Sequence, residues 1–463
     1  MTETVVAIGT RKGLWLARST DRREWMLDGP HFLMSEVAAV AFDTRRAVPR
    51  VLAGVMSWHW GPTVQTSDDG GRTWTEGDDR AIAFPKDAEA ALTRVWQLTP
   101  DPHDDSVVWA GGEPQSLWRS TDGGQSFELN RGLWDHPHRS EWGAGFGGAA
   151  IHTVCPDPGD SSRMLVAMST GGAYTTTDGA RSWTPTNTGI SAYFLPENPY
   201  PEFGQCVHKV ARDSQTPSRL YAQNHRGVYR SDDNGESWSS IADGLPTDFG
   251  FTVVAHPHKG DALWLIPVVS DGERVPPDGR LQVQYSTDAG RTWETQTTGL
   301  PSPCYTAVLR DAAGTDDAEQ PGLYFGTRNG DVFASLDEGS SFTTIASQLP
   351  DVLCVRAGGA GVSGAPGPGS VRVVLPGMLR DLTGGEAEAA AEVGAAGARL
   401  EQVLDLALAP WPRVGSRVRD EQGRIRRHVN IFVDGEDAKR GEGLETVVRP
   451  GAVVHIINAV SGG

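Results

Sequence analysis

The sequence is poor in cysteine and in basic side chains. Its 463 residues include four cysteines, Cys155, Cys206, Cys304 and Cys354, and none of them forms a Cys-x-x-Cys pair. This spacing indicates neither a disulfide framework nor a zinc site, so the cysteines are expected to be small buried apolar residues and no bound metal is predicted. The formal net charge of −18 argues against a nucleic-acid partner, because phosphate binding needs clustered Lys and Arg.

Long apolar runs are absent as well. No stretch is long enough and apolar enough to span a bilayer. The opening residues, MTETVVAIGTRKG, lack the basic-then-apolar order of a signal peptide. These absences predict a cytoplasmic protein with no membrane partner.

A short recurring motif organises the first 357 residues. Its aspartates, from Asp21 to Asp337, lie 48 to 56 residues apart, a period typical of repeat folds. In each copy the Ser or Thr and Asp side chains can bond to the backbone of their own turn, and Gly supplies a positive φ. The copies read STDRREW (19–25, incomplete), SDDGGRTW (67–74), STDGGQSF (120–127), TTDGARSW (176–183), SDDNGESW (231–238), STDAGRTW (286–293) and SLDEGSSF (335–342).

Short alternating segments around each copy predict four strands per repeat, which describes the blade of an all-β propeller. The chain begins with what reads as a second strand, TVVAIGT. The segment after the last motif is therefore predicted to complete the first blade and to close a ring of seven. The predicted innermost strands are 36–43, 93–100, 150–157, 206–213, 251–258, 304–311 and 351–358.

The motif resembles the Asp-box (BNR) repeat of sialidases, sortilin-like receptors and many bacterial propellers, and the resemblance spans residues 19–342. In that family the boxes are structural turns on the face away from the ligand, which implies a structural role for Asp69, Asp122 and their equivalents. A sialidase also needs an arginine cluster and a Tyr nucleophile with a carboxylate partner. The Arg-Ile-Pro signature of sialidases is absent and seven blades are predicted rather than six, so sialidase activity is disfavoured.

The candidate ligand face lies opposite the boxes, where hairpins and inter-blade loops emerge. Three stretches there are rich in aromatic residues: 57–62, 131–150 and 191–205. Long aromatic loops are typical of functional sites, although their histidines could also serve only to pin the loops. A pocket for a small-molecule ligand is predicted on this face, with no catalytic residue and no metal assigned. Its candidates are Trp58, His59, Trp60, Glu113, His136, His138, Trp142, His225, Arg226 and Arg328.

The composition changes abruptly after Arg356. The predicted divisions are a propeller at 1–357, a Gly/Pro/Ser linker at 358–369 and a small α+β domain at 370–463. The last of these is predicted to fold as one helix on a mixed sheet. Its predicted strands are SVRVVLP (370–376), RRHVNIFVDGE (426–436) and AVVHIINAV (452–460), and its predicted helix is ARLEQVLDLALAP (398–410).

The C-terminal domain resembles the MoaD/ThiS family of ubiquitin-like β-grasp sulfur carriers, in particular the carrier that supplies sulfur for cysteine synthesis. The resemblance rests on VRVVLPGMLRDLTGG, HVNIFVDGED and GLETVVRPGAVVHIINAVSGG, which ends in Gly462-Gly463. It implies that an E1-like partner uses ATP to adenylate Gly463, and that a sulfur donor then forms a thiocarboxylate there. A sulfur-accepting enzyme of cysteine, molybdopterin or thiamin-type synthesis would take the sulfur. No permanently bound cofactor is implied.

The residues agree with this reading, since two glycines carry no side chain that could clash in a narrow active site. The chain has no GxxxxGK[ST] phosphate loop, so the activation is assigned to a partner and the carrier domain is not itself expected to be an enzyme. The propeller would then be a docking or ligand-binding platform. Two alternatives stay open. In one, the propeller is a sialidase-like or other small-molecule hydrolase or lyase with the carrier as accessory. In the other, the C-terminal domain is a ubiquitin-like modifier of proteins.

Overall fold

The structure of the chain divides into two units, 1–361 and 362–463. It is a computed structural model that describes residues 3–45, 49–59, 61–76, 81–145, 147–195, 197–360, 370–376, 379, 382–383, 388–394, 397–420, 422–427 and 429–458. Trp60, Gly462, Gly463 and residues 361–369 of the predicted linker therefore lie outside the described residues. Within the described ranges, no helix has the length and the apolar character needed to cross a membrane.

Seven four-stranded antiparallel sheets form the first unit, which confirms the seven-bladed propeller. The innermost strands are almost wholly buried, as in Glu36–Asp43, because each is covered by the neighbouring blades. In chain order the strands are Glu3–Thr10, Gly13–Ser19 and Met26–His31 (blade 1, with Val352–Ala360); Glu36–Asp43, Arg50–Ser57, Gly61–Ser67 and Thr75–Glu76 (blade 2); Arg94–Pro100, Val108–Glu113, Ser116–Ser120 and Glu128–Leu129 (blade 3); Ile151–Asp157, Asp160–Met168, Gly172–Thr176 and Thr184–Pro185 (blade 4); Val207–Arg212, Leu220–Asn224, Val228–Ser231 and Ser239–Ser240 (blade 5); Gly250–Ala255, Leu263–Pro267, Val283–Ser286 and Glu294–Gln296 (blade 6); and Ala313–Thr315, Leu323–Gly326, Val332–Ser335 and Thr343–Ala346 (blade 7).

Blade 1 closes the ring as the sequence predicts. Val352–Ala360 pairs antiparallel with Glu3–Thr10, with Val355 opposite Ile8. The pairing continues as far as Ala360 opposite Glu3. Residues 358–360, which the sequence analysis places in the linker, therefore belong to the closing strand.

The innermost strand of blade 7 differs from the prediction. Residues 304–311 carry no strand, and the strand is Ala313–Thr315 instead. The Ala312 amide donates to the Leu309 carbonyl at 3.0 Å and closes a turn, while the Asp311 carboxylate is engaged by Lys209 of blade 5 at 2.6 Å. The predicted strand at 304–311 is wrong because a buried ion pair and a turn replace the ladder there.

The Asp-box turns are held by their own side chains. The Ser67 hydroxyl donates to Asp69 Oδ1 at 2.7 Å, and the Thr73 amide donates to the same oxygen at 2.9 Å. The aromatic residue that ends a box reaches the preceding blade: Trp238 Nε1 donates to the Thr186 carbonyl at 3.0 Å. The boxes thus fix turns and join blades, as the resemblance implies.

The second unit has a five-stranded mixed sheet with its main helix packed against it. Its central strand, Val453–Asn458, runs parallel to Ser370–Val374 and antiparallel to Val429–Val433. Leu400, Val403 and Leu404 of the helix are fully buried in the same core as the sheet. The sheet order is Glu388–Glu392, Ser370–Val374, Val453–Asn458, Val429–Val433, Glu436–Asp437, and a separate pair joins Ala398–Arg399 to Val447–Val448.

Helices are few and short. The second unit contains Leu400–Leu408, where a helix is predicted, and also Pro412–Val418, which the sequence analysis does not predict; Pro412 opens that helix at a position where its missing amide costs nothing. Among the described residues of the propeller, Arg131–Trp134 is the one α-helical turn. The 3₁₀ turns are Lys86–Ala88, Pro137–Glu141, Pro277–Gly279, Ala438–Arg440 and Gly443–Glu445.

Candidate ligand cavity and carrier terminus

A cavity opens on the propeller face opposite the Asp-boxes. In each blade the first strand begins at the face where the second ends and the third begins, whereas the boxes follow the third strand. One half of the cavity, of about 250 Å³, lies beside Arg94, Trp96 and Arg328. The other half, of about 310 Å³, lies beside Tyr193, Phe194 and His225. The two halves share Gly147, Phe251, Arg274 and Arg310, so they adjoin one another at these four residues.

Bulges in the innermost strands shape this cavity. In blades 2 to 5 the ladder skips one residue near the start of the strand, and a β-bulge re-aims a side chain in this way. The skipped residues are Ala38, Trp96, His152 and His208. Because this bulge recurs in neighbouring blades, the indole of Trp96 and the imidazoles of His152 and His208 lie near the centre of the propeller.

Arg310 is the most unusual charge in the cavity. Its residue is 8% exposed, and its Nε is buried without a hydrogen-bond partner. Burial lowers the pKa of this guanidinium, and the nearby charge of Arg274 acts in the same direction. Its charged carbon lies 5.3 Å from the Phe251 ring centroid and 5.9 Å from that of Trp96. Such contacts orient a cation but do not neutralise it.

Arg274 also lies close to the Phe251 ring. Its guanidinium carbon is 5.4 Å from the Phe251 centroid, and its Nε donates to the Asp271 carbonyl at 2.9 Å. Among the described residues, no carboxylate lies within 4.0 Å of the nitrogens of Arg274 or Arg310. Two guanidiniums without carboxylate partners therefore face one cavity.

The other arginines of the cavity are paired. Arg94 meets Glu36 at 2.6 Å, Arg11 meets the same carboxylate at 2.9 Å, and Arg328 meets Asp351 at 2.9 Å. These pairs compensate charge at the edge of the site. Arg274 and Arg310 differ from these arginines because neither has a carboxylate partner among the described residues.

A buried ionic cluster lies next to Arg310. Asp311 is bound by Lys209 at 2.6 Å and by Arg356, so blades 5, 7 and 1 are joined at the centre of the ring. Although burial opposes ionisation, the two cations lower the pKa of Asp311. The Asp311 carboxylate is thus stabilised in its ionised form by its pairing with Lys209 and Arg356.

The second half of the cavity brings together a thiol and two imidazoles of blade 5. Cys206 is 5% and His208 is 1% exposed. Burial lowers the pKa of His208 well below its ordinary value and raises that of the Cys206 thiol. Burial also lowers the pKa of His225, although the Asp271 carboxylate at 3.3 Å opposes that shift. Burial therefore favours the neutral form of both rings.

Four of the predicted site residues lie in or beside this cavity. His225 and Arg328 line it. Glu113 accepts a hydrogen bond from Trp96 Nε1 at 2.8 Å. Arg226 is exposed and lies over the Tyr193 ring at 5.1 Å.

The loop at 131–150 places its three candidates elsewhere. Trp142 Nε1 donates to the Tyr174 hydroxyl at 2.9 Å, and His138 Nδ1 lies 3.1 Å from the same oxygen. His136 stacks on Trp142, and His138 stacks on Phe203 with centroids 3.9 Å apart. These residues form a packed cluster in blade 4 and do not line the cavity. Trp58 and His59 are exposed at the tip of their hairpin.

Sequence reasoning misses the residues at the heart of the site: Cys206, His208, Asp271, Arg274 and Arg310. A signal was present for some of them. IHTVCPD (151–157) and VHKVARD (207–213) carry His at the same place in two predicted inner strands, where neighbouring positions are apolar. No such signal marks Arg274 or Asp271, which lie in a loop between the second and third strands of blade 6.

The carrier terminus leaves the second unit from its central strand. Val453–Asn458 is paired on both sides, and the Val453 amide donates to Asp434 Oδ1 at 2.8 Å. The last described residue is Asn458, and the five residues AVSGG follow it in the sequence. The predicted arm therefore starts from one of the best-anchored strands of the domain.

The comparisons with known proteins agree with this geometry. The ThiS family model matches residues 373–463. The sulfur carrier protein CysO of Mycobacterium tuberculosis is 35% identical over 96 residues, which are 20% of this chain and 99% of that protein. The chain belongs to the ThiS family. Its membership rests on the C-terminal unit, which resembles sulfur carriers, and 1–361 lies outside the match.

Solved structures match each unit separately. The ThiS-family unit is similar to a chain of the Amycolatopsis orientalis BexX/CysO complex, with 33% identity, 99% of that chain covered, 20% of this one and a TM-score of 0.18. The BNR/Asp-box repeat model matches residues 284–295. A GH74 enzyme of Niastella koreensis shows 14% identity and a TM-score of 0.46, with 76% of this chain and 65% of that chain covered.

Proposed function

We propose that this protein is a sulfur carrier that is adenylated and then thiocarboxylated at Gly463. The observation that carries the proposal is the match of residues 373–463 to the ThiS family, with a Gly-Gly pair ending the chain just beyond the central strand. The C-terminal carboxylate attacks the α-phosphate of ATP in a partner enzyme, and pyrophosphate leaves. A sulfur nucleophile from a donor then displaces AMP, so that one carboxylate oxygen is replaced by sulfur.

Mass spectrometry of the full chain tests this proposal. With a cognate activating enzyme, ATP and a sulfur source, the C-terminal fragment is expected to gain the mass difference between sulfur and oxygen. Deletion of Gly463, or addition of one Leu after it, abolishes the gain while both units stay folded. Gly441→Ala is the matched control, since a Cβ there meets no atom closer than 3.8 Å. An unshifted mass in the wild type, or isopeptide adducts to lysine instead, would contradict the proposal.

A second candidate function concerns the propeller alone. The unpaired Arg274 and Arg310 favour binding of a small anion, carboxylate or phosphate, for which the guanidinium fork is the best-matched side chain. We infer that the propeller is a ligand-binding platform for such a molecule. Millimolar phosphate or citrate is expected to raise the thermal unfolding midpoint of the wild type and of Arg291→Met, whose exposed arginine lies in an Asp-box turn, but not of Arg310→Met. An equal shift in all three proteins would refute anion binding in the cavity.

A further inference from the structure

Three metal-capable side chains converge in the second half of the cavity. The Sγ of Cys206 and one ring nitrogen each of His208 and His225 all lie within 4.8 Å of one another. Cys206 directly precedes the strand Val207–Arg212, and His208 is the residue skipped at the bulge near its start, where the regular alternation of side chains is interrupted. The amide of His225 donates to the Cys206 carbonyl at 2.8 Å, which fixes the hairpin beside that strand.

The hydrogen bonds of the two imidazoles leave one nitrogen of each ring free to bind a metal. His208 Nδ1 lies 2.6 Å from the Gly250 carbonyl, which can only accept, so Nδ1 carries the proton and Nε2 keeps its lone pair. His225 Nε2 lies 3.3 Å from an Asp271 carboxylate oxygen and 3.1 Å from the Tyr193 hydroxyl. Its Nδ1 then keeps the lone pair. Carbonyl and carboxylate acceptors behind the rings are the usual outer partners of metal-binding histidines.

We propose that Cys206, His208 and His225 bind a divalent transition metal of the zinc class, with one coordination position open to the cavity. Bonds of about 2.3 Å to sulfur and about 2.0–2.1 Å to nitrogen place tetrahedral ligand atoms roughly 3.3–3.6 Å apart, which small side-chain rotations achieve from the present spacing. Three protein ligands with one free position are the pattern of catalytic zinc sites, whereas structural zinc has four.

The surrounding charges define what the open position accepts. A divalent ion with one thiolate leaves a net positive site, and Arg274 and Arg310 line the same half of the cavity. The two arginines repel any cation, the metal ion included, so they favour metal binding together with an anion that offsets the added positive charge. A hydroxide or a carboxylate or phosphate oxygen is therefore the expected fourth ligand. Asp271, behind His225, is the only carboxylate among the described residues that line this half, and it acts as a positioning residue.

Metal analysis of the tag-free full chain tests the site. The purified protein, stripped with a chelator and titrated with Zn²⁺, is expected to bind one equivalent with a ligand set that includes Cys206. Cys206→Ser and His225→Gln weaken this binding by at least about tenfold, and Asp271→Asn by about 10–100-fold, the range found for outer partners. Cys304→Ser and His103→Gln, which alter a buried thiol and an exposed imidazole outside the cluster, keep the wild-type affinity.

Cobalt provides an independent readout. Co²⁺ bound at this site gives a thiolate charge-transfer band in the near ultraviolet, and that band disappears in Cys206→Ser. Tryptophan fluorescence reveals whether Cys206→Ser folds. If it does not fold, the zinc titration of His225→Gln replaces it as the test, because His225 is partly exposed. Substoichiometric zinc in the wild type, a missing cobalt–thiolate band, or equal affinities in ligand and control variants would overturn the proposal.

Discussion

Replacement of Arg310 by methionine is expected to stabilise the propeller. The guanidinium is buried with no carboxylate within 4.0 Å among the described residues and an unpartnered Nε, so the folded state bears a desolvation cost of several kcal/mol that no ion pair offsets. Its contacts with Phe251 and Trp96 return about 0.5–2 kcal/mol. Methionine keeps the aliphatic length and packs favourably on aromatic rings. The net gain in the free energy of unfolding is about 1–2 kcal/mol.

Denaturant titration followed by tryptophan fluorescence measures this change. Fourteen of the 15 tryptophans precede residue 357 and only Trp411 follows it, so the signal reports the propeller. The chain must be free of metal and of added anions, because a ligand bound to the wild type would hide the cost of the unpaired charge. Arg328→Met, which breaks a pair with Asp351, is the matched control and should not stabilise. A loss of more than about 1 kcal/mol in Arg310→Met would show that the charge is compensated and would refute the reasoning.

The remaining predictions concern stability. Asp311→Asn, one residue further on, should lower the free energy of unfolding by about 3–5 kcal/mol in the same titration, because it leaves two buried cations without their carboxylate. Gly330→Ala should unfold the propeller at a markedly lower temperature, since a Cβ would lie 1.8 Å from the Leu349 carbonyl oxygen at a φ of +87°. Burial raises the pKa of Asp28, but the contacts with His31 outweigh it and lower that pKa to about 2. The stability that ionised Asp28 contributes is therefore present above pH about 4 and is lost as the pH falls toward 2. The difference in unfolding midpoint between wild type and Asp28→Asn should shrink over that window; a difference that does not change with pH would contradict it.

The fold was readable from the sequence because its information is local and repeated. Every Asp-box sets a turn from Ser, Asp and Gly within eight residues, and seven evenly spaced units leave few other architectures. The ring closure was predictable for a similar reason, since the segment after the last Asp-box reads as a first strand and TVVAIGT reads as a second strand, and the two pair in the structure. The strand at 304–311 was mispredicted because its apolar pattern hides Asp311, whose partners Lys209 and Arg356 are distant in sequence.

The site was predictable only in part, because its residues come from different blades and are distant from one another in the sequence. Glu113, His225 and Arg328 were predicted because they lie on the hairpins equivalent to an aromatic one, and they lie in or beside the cavity. His136, His138 and Trp142 belong to an equally unusual loop, but Tyr174 of blade 4 draws them into a packed cluster. Local composition cannot distinguish these two outcomes. The distinction depends on which strand lies opposite, and that requires the register of the sheet.

The proposed function requires an activating enzyme to bind close to the C-terminal tail. The tail begins after Asn458, and five further residues span at most about 18 Å when fully extended. An enzyme that reaches Gly463 must therefore bring its active site within that distance of the central strand. Exposed apolar side chains of the domain, Val447 at 56% and Ile457 at 46%, are available for such a contact, and Ile457 lies only six positions before the terminus. Under the proposed function, these side chains of the second unit are the apolar contacts nearest the tail in sequence, and the proposed ligand of the propeller would use a different set of residues: the buried arginines, histidines and thiol of 1–361.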